Sequence, residues 1–421
     1  MPHAIREQTM GIGPQQVVIV GGGIGGLATA LALLRRGDSV RIFEQAPELK
    51  EIGAGLTISP NATRALISLG LGDAVAAIGS VPDESVTYHW ESGDVIRRRS
   101  MGDHYLREYG GHYYHMHRAD LHAALLAEVR KLAPDAVHTD HVATGVEQDE
   151  TSATVRFTNG ARATGDLVIG ADGVRSITYA TLFGATPPTF TNRVAWRAVV
   201  PAAAVADLGL AKMGSIPGPE RTASWYNLRG GELINLVFMS RWDAWVDEDW
   251  RARATIDDVR EAFVGWCPLT RELIERLPAD GILRWGLFDR PPYEHWSQGH
   301  IAFVGDAVHP MLPYMGQGAA MAIEDAVILA RLFDAEASQA DALARYGEVR
   351  RPRTDWIQMA SRQRADFWEK TDPRAQLGTA MADAHLAIYP YDAATAPLTA
   401  GASRPPIADD ISSAVALSSG A

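Results

Sequence analysis

Four β-branched residues in a row, Val17-Val18-Ile19-Val20, run straight into Gly21-Gly22-Gly23-Ile24-Gly25-Gly26 and then into an Ala- and Leu-rich stretch from Leu27 to Arg36. The unbroken apolar run suits a strand covered on both faces, as in a parallel sheet. The stretch after the glycines favours a helix, with Arg35 and Arg36 in its last turn and Gly37 as its C′ residue. Ser39 to Glu44 (SVRIFE) returns as a second strand. The chain therefore opens on a βαβ unit, which in an open sheet places ligands at the carboxyl ends of the strands.

The glycines satisfy the spacing G-x-G-x-x-G. Gly21 serves the tight turn, Gly23 the close approach of backbone to a pyrophosphate, and Gly26 the packing of helix on strand, with Gly25 in the same turn. Glu44 follows about twenty residues on, where a carboxylate accepts hydrogen bonds from both ribose hydroxyls. It would repel a 2′-phosphate, so the site suits FAD or NAD and not NADP. The plainer alternative is a tight βα turn with Glu44 as a surface carboxylate.

The same region, Val17 to Leu34, is uncharged and about as long as a short membrane span. Its five glycines would weaken a spanning helix. Glu7 leaves the start without a basic leader, and no small-residue cleavage site follows. Across 421 residues, 47% are hydrophobic and 21% charged, enough for the cores of two domains and incompatible with global disorder. The formal charge of −12 disfavours nucleic acid and anionic membranes as partners. The one cysteine, Cys267, excludes an intramolecular disulfide and a multi-thiolate metal site. A cytoplasmic protein, monomer or homodimer, is expected.

Farther along, Thr87 to Arg98 and Thr191 to Arg241 are rich in aromatic and β-branched residues, with turn signals at Glu91-Ser92-Gly93-Asp94 and Arg229-Gly230-Gly231. They read as an antiparallel sheet. Arg118 to Lys131 reads as a helix, Ala153 to Phe157 and Asp166 to Ile169 as strands around Asn159-Gly160, Ile301 to Val304 as a buried strand, and Ala319 to Phe333 as a helix. The expected fold is α/β: a Rossmann-like nucleotide domain over 14–80, 111–185 and 286–375, interrupted by a mixed or antiparallel sheet domain over 81–110 and 186–285. C-terminal helices follow, and residues 376–421 form a partly flexible extension whose last twenty or so residues, rich in Ala, Ser, Pro and Gly, read as a loose tail.

Three further stretches accompany the glycine motif: His117-Arg118-Ala-Asp-Leu121, then Asp166-Leu-Val-Ile-Gly-Ala-Asp172-Gly-Val-Arg-Ser176, then Gly305-Asp306-Ala-Val-His309-Pro310 leading to Gly316-Gln317-Gly318. In this order they resemble the single-component FAD-dependent aromatic hydroxylases over residues 15 to 370, and most closely the hydroxynicotinate and salicylate type. The resemblance implies FAD and, as co-substrate, NADH rather than NADPH; no second G-x-G-x-x-G follows a strand, so no dedicated nicotinamide domain is expected and NADH would visit transiently. It implies ring hydroxylation by O₂ through a flavin C4a-hydroperoxide in aromatic catabolism. Asp306 would bind a ribityl hydroxyl, and the amides of Gly316, Gln317, Gly318 and Ala319 would face the flavin N1–C2=O edge. Arg118 would reach the phosphate or ribityl region, Val142 the adenine, and Gly55 lies in the loop against the flavin. Asp172 would serve the pyrophosphate or the nicotinamide path, or brace its own turn. Trp196, Trp225 and Tyr226 are suited to cover the flavin face.

At the substrate end, Tyr226 matches a catalytic tyrosine of the hydroxynicotinate enzymes. Tyr314, Thr57 and Thr222 stand where those enzymes carry other residues, so a related hydroxypyridine or hydroxybenzoate is the expected substrate. Arg221 is the candidate for a substrate carboxylate, or else a surface arginine. His309 is either a base or a brace for loop carbonyls. His112, His115 and His117 lack a carboxylate at facial-triad spacing, so no metal is expected. A flavin oxidase or epoxidase acting on a non-aromatic substrate, and a non-catalytic FAD-binding protein, are the alternatives.

Overall fold

The computed structural model describes residues 11–49, 54–244, 252–370, 372–377 and 383–402. Its first sheet runs in the order Ser297–Gln298, Ile301–Phe303, Leu167–Gly170, Gln16–Val20, Ser39–Phe43, Val137–His138, parallel throughout except for the first, edge strand. Val17 to Val20 are at most 3% exposed, because helices cover both faces of this sheet. Ile24–Arg36 packs against both Arg118–Leu132 and Gly318–Ala335. Gly37 closes the first helix at φ 100°, donating its N–H to Leu33 and Leu34, with Arg35 and Arg36 at the negative end of the dipole. A three-stranded antiparallel sheet, Ala143–Gln148, Ala153–Phe157 and Arg162–Gly165, lies beside it.

The second large sheet has seven strands in the order Leu283–Asp289, Thr189–Pro201, Leu233–Arg241, Arg221–Leu228, Met213–Gly218, Glu84–Tyr88, Val95–Ser100. The strand Leu283–Asp289 belongs to it as a whole, so the expected return to the nucleotide domain at residue 286 falls inside a strand. One face carries Trp196, Ile216, Ala223, Trp225 and Phe238, packed beneath the helices Ile256–Ala262 and Pro268–Glu275 with Phe263 and Trp266. The other face turns toward the nucleotide-binding layer. Trp196 and Trp225 therefore belong to a private core of the sheet and not to a flavin face. Trp225 even spends its indole N–H on the Ala211 carbonyl at 2.9 Å.

The chain also returns after its long helix, Gln339–Lys370. Ala384, Ile388, Tyr389 and Ala393 are buried, and Arg64 donates to the carbonyls of Tyr389 and Tyr391 at 2.7 and 2.5 Å. This part of the expected flexible extension is packed structure. The tail expected beyond it lies outside the described residues. No helix among the described residues is long and apolar enough to cross a membrane.

Candidate active site

The phosphate turn is built by space. Gly21 has φ 107°, and a Cβ there would lie 2.3 Å from the Ala171 carbonyl oxygen; a Cβ on Gly26 would lie 2.0 Å from that of Gly21. At Gly23, by contrast, nothing stands within 4 Å. The turn is thus closed on its inner side and open where a ligand would approach. The helix it starts has no side-chain cap and no acid in its first turn, so its leading amides and positive dipole end are uncompensated. Gly25 faces Ala322 of the helix Gly318–Ala335, 3.3 Å from where its Cβ would be. Glu44 ends the second strand and accepts from Gly22 N–H at 2.7 Å and Ala46 N–H at 2.9 Å, which fixes its carboxylate beside the turn. Val142 is 40% exposed at the start of the three-stranded sheet, its carbonyl accepting from Thr158 N–H at 2.9 Å.

Two more helix starts converge on the groove below this turn. Arg118 opens one, its N–H donating to Ala54 O at 3.1 Å, and its charge acts on Asp306. Asp306 projects from the turn Gly305–Ala307 into the groove, its side chain exposed there while Gly305 and Ala307 on either side are buried. The second start is Gly318, preceded by Gly316 at φ 63° and by Gln317, with neither a side-chain cap nor an acid in the first turn. The Gln317 side chain points the other way. It accepts from Asn61 Nδ2 at 3.2 Å and donates to Ser59 Oγ at 2.9 Å, so only backbone is offered to the groove. Asp172 braces its own loop, accepting from Ser176 Oγ at 2.6 Å, Thr178 Oγ1 at 2.7 Å and Thr178 N–H at 3.0 Å.

Beyond Gly316 lies a cavity of about 290 Å³. Strand parity decides its lining. Thr222, Ser224 and Tyr226 point into it, paired with Pro217, Ser215 and Met213 of the next strand, while Ala223 and Trp225 belong to the private core, Trp225 also bordering the cavity. Arg221 shares the parity of Ala223 and Trp225, and it is not among the lining residues. Farther along the sheet, Thr87 pairs with Arg97 and Ser85 with Arg99, and all four line the cavity. Thr57 and His115 face each other on the two-stranded ribbon Gly55–Ile58 and Tyr114–His117 that closes one side. Gly55 is required there: a Cβ would lie 2.4 Å from the Tyr226 ring, and its N–H donates to Asn235 Oδ1 at 3.0 Å. Tyr314, on the loop before Gly316, lines the cavity too, as do Tyr105, Tyr113, Tyr389, His385 and Arg364.

The charges of this cavity are unevenly distributed. Arg97 and Arg99 both pair with Asp383, the former at 2.9 Å, and Arg99 donates to His385 Nε2 at 2.6 Å. Burial pushes the Arg364 guanidinium down to about 10, so it remains a cation at neutral pH. Arg97, Arg99 and Arg364 thus gather about Asp383 at this end, the first two by direct ion pairs and Arg364 through its charge. At the other end, His115 stacks on Tyr226 with ring centres 4.2 Å apart. Burial lowers His115 to about 3 and raises the Tyr226 phenol, so both are neutral at pH 7.

His309 lies behind the site. It is 1% exposed, stacks on Trp296, and its Nε2 bonds Asp325 Oδ2 at 2.5 Å. It is one end of a buried network in which Arg350 joins Asp325 (2.7 Å) and Glu324 (2.8 Å), Arg353 joins Glu324 (2.8 Å), and Glu324 accepts from Asn61 at 2.7 Å. A ring so enclosed acts as a brace for the Asp306 loop, not as a base for a substrate. His112, His115 and His117 do not converge either, and among the described residues no group of His, Cys, Asp and Glu could hold a metal.

Residues 15–361 match the FAD binding domain family. The chain belongs to the FAD-dependent aromatic monooxygenases. It is 36% identical over 329 residues to a 6-hydroxynicotinate 3-monooxygenase of Pseudomonas fluorescens, covering 75% of this chain and 82% of that one. It is 39% identical over 317 residues to a 3-hydroxybenzoate 6-hydroxylase of Polaromonas naphthalenivorans, covering 74% and 78%. Among solved structures it resembles Klebsiella pneumoniae HpxO complexed with FAD and uric acid, at TM-score 0.77 and 27% identity over 90% of this chain and 93% of that one. It also resembles a salicylate hydroxylase substrate complex, at TM-score 0.78 and 25% identity over 90% and 96%. The chain therefore has the fold of an FAD-binding monooxygenase, and its open phosphate turn and uncapped helix starts fit a dinucleotide.

Sequence reasoning missed Arg97, Arg99, Arg364, Tyr105, Tyr113, Tyr389 and His385. A signal was available for two of them. In Val95-Ile-Arg-Arg-Arg-Ser100, alternation places Arg97 and Arg99 on one face together. Arg364 comes from the long helix, Tyr105 from the helix Asp103–Tyr109, Tyr113 from just before the strand Tyr114–His117, and His385 and Tyr389 from the returning segment, and their meeting with the sheet is purely tertiary.

Proposed function

We propose that the protein hydroxylates the ring of a small aromatic acid carrying a ring hydroxyl, of the hydroxybenzoate or hydroxypyridine type, with FAD, NADH and O₂. One observation carries the reading: a ring-sized cavity with a cluster of guanidiniums at one end and a neutral tyrosine–histidine stack at the other, beside the helix start at Gly318. The two monooxygenase relatives are each named for a hydroxylated aromatic acid, which agrees with that distribution of groups.

Gly21 to Gly26 would hold the pyrophosphate of FAD, Glu44 the ribose, Arg118 and Asp306 the ribityl chain, and Gly316 to Ala319 the pyrimidine edge of the ring. Bound there, FAD supplies the two electrons with which O₂ is activated. The protein's own part is orientation and exclusion. Arg99 and Arg364 take the carboxylate, because guanidinium binds it in a fork and a desolvated cation gains most from an anion. The ring then lies over Tyr226 and His115, flanked by Thr57, Thr222 and Tyr314. The Tyr226 phenol, held neutral, accepts a hydrogen bond from the substrate hydroxyl and draws its proton outward, which enriches the ring in electrons. Tyr389 and the returning C-terminal segment keep water from the reacting carbon.

The reading is tested by screening hydroxybenzoates and hydroxypyridines, with and without the carboxylate, for stimulated NADH oxidation. An acid should stimulate while its decarboxylated counterpart does not; equal stimulation by both would contradict the assignment.

A further inference from the structure

Arg197 sits on the inner face of the long strand Thr189–Pro201, one residue past Trp196 and so on the opposite side from the private core. Its guanidinium lies over the Trp285 ring, 4.4 Å from the ring centre. It lines a small cavity of about 90 Å³ together with Val174, Asp306 and the loop Pro310–Pro313. This space adjoins the substrate cavity, since Pro313 lines both. The Arg197 Nε has no hydrogen-bond partner, and no carboxylate among the described residues forms an ion pair with it. The groups within electrostatic reach are the Tyr226 phenol and a second cation, Arg118, and burial lowers the guanidinium below its ordinary range.

Arg197 keeps part of its surface open to the cavity while its Nε is buried without a partner, so its hydrogen-bonding capacity is unfilled on the side that faces this space. Whatever enters between Asp306, the Pro310–Pro313 loop and Arg197 fills it if it brings negative charge or electron-rich carbonyl oxygens. The route from Asp306 to Gly316 is the one the cofactor ring must take on the functional reading given above, and the present inference rests on that reading.

We propose that Arg197 is the sheet's contact to the FAD ring and offsets the negative charge the ring acquires on reduction. The oxidised ring takes up two electrons and one proton, the equivalent of a hydride from a nicotinamide donor, and thereby gains one unit of negative charge. A guanidinium facing it binds the reduced form more tightly than the oxidised form. It acts together with the positive end of the helix Gly318–Ala335, which reaches the ring from a different direction.

The test is the two-electron reduction potential of bound FAD, titrated with dithionite against a reference dye, in the wild type and in Arg197→Met and Arg197→Lys. The Met variant should lose about tenfold in its preference for reduced over oxidised FAD, which is about 30 mV toward lower potential. The Lys variant should keep most of the wild-type value. The Met variant stripped of FAD should melt no lower than stripped wild type, because a buried Nε without a partner has gone. An unchanged potential in the Met variant overturns the proposal. So does a stripped Met variant that melts lower while its potential is wild-type, which would make Arg197 structural. Should the Met variant fail to fold, Arg197→Gln carries the same measurement. Failure of the wild type to take up FAD would sink the underlying functional reading instead, and is read separately from the shift.

Discussion

A strand turns alternate residues to opposite faces, and here that parity decides which arginine can meet a substrate. Arg221 looks attractive beside Thr222, but its register sends it with Ala223 and Trp225 to the far side of the sheet. Arg99 and Arg364 reach the cavity from a strand and from the long helix. Replacing Arg364 by Met should raise KM for the aromatic acid about 10- to 100-fold, the value of a hydrogen bond to a charged group, with a smaller effect on kcat. Steady-state kinetics would check it, and the same change at Arg221 should leave KM within twofold. Tyr226→Phe should lower product formed per NADH consumed while FAD stays bound, measured by product chromatography against NADH loss. His115 gives a pH signature. Its folded value of about 3 lies below the ordinary value of 6.5, so its contribution to stability is complete above pH 6.5 and is lost as pH falls toward 3. His115→Gln should therefore lose less of its urea midpoint between pH 7 and pH 4.5 than the wild type does. The sequence showed Tyr226, Thr57 and Thr222 through their resemblance to known positions. It could not show His115 as a cavity residue, because only the packing of the ribbon Gly55–Ile58 and Tyr114–His117 on the seven-stranded sheet brings it against Tyr226.

At the scale of elements, helix starts are the proposed binding groups, and a buried ion network keeps the one at Gly318 in place. Glu324 and Asp325 lie within the helix Gly318–Ala335, and Arg350 and Arg353 within the next; all four side chains are 0% exposed. The network reaches Asn61, Gln317 and Ser59, so it supports the turn before Gly318 from behind. Arg353→Met would remove one of the two guanidiniums on buried Glu324, leaving it to Arg350 and Asn61, and should destabilise the fold by about 1–3 kcal/mol, read from urea unfolding. At the other helix start, Glu44→Ala should weaken FAD retention without loss of fold, measured by equilibrium dialysis against circular dichroism. The glycine turn and both helices were legible because local spacing and composition specify them. The network was not, since each of its residues looks like an ordinary charged helix position until two helices are docked. His309 shows the same limit, standing in a motif beside Asp306 yet turned toward Asp325.

For the whole molecule, the chain builds one parallel sheet from strands at residues 16–20, 39–43, 167–170 and 301–303, and a second from two insertions. The βαβ opening follows from the unbroken apolar run and the glycines after it, and the antiparallel middle from aromatic and β-branched stretches set between turn signals, so both elements were readable in advance. The contribution of residues 383–402 was not, because a short polar-flanked segment carries no periodic signal and its anchors, Tyr389 and Asp383, are partners of distant arginines. Its return closes the cavity over the phosphate-binding layer and supplies the far wall against which an aromatic acid would rest. On the function proposed, a hydroxylated aromatic acid is oxidised in this cavity at the expense of NADH and O₂. The most direct test is the ratio of hydroxylated product to NADH consumed by the FAD-loaded protein across 6-hydroxynicotinate, 3-hydroxybenzoate and salicylate. At least one acid should accelerate NADH oxidation with a ratio near one; hydrogen peroxide as the sole product with every acid, at a rate no higher than without them, would contradict the account.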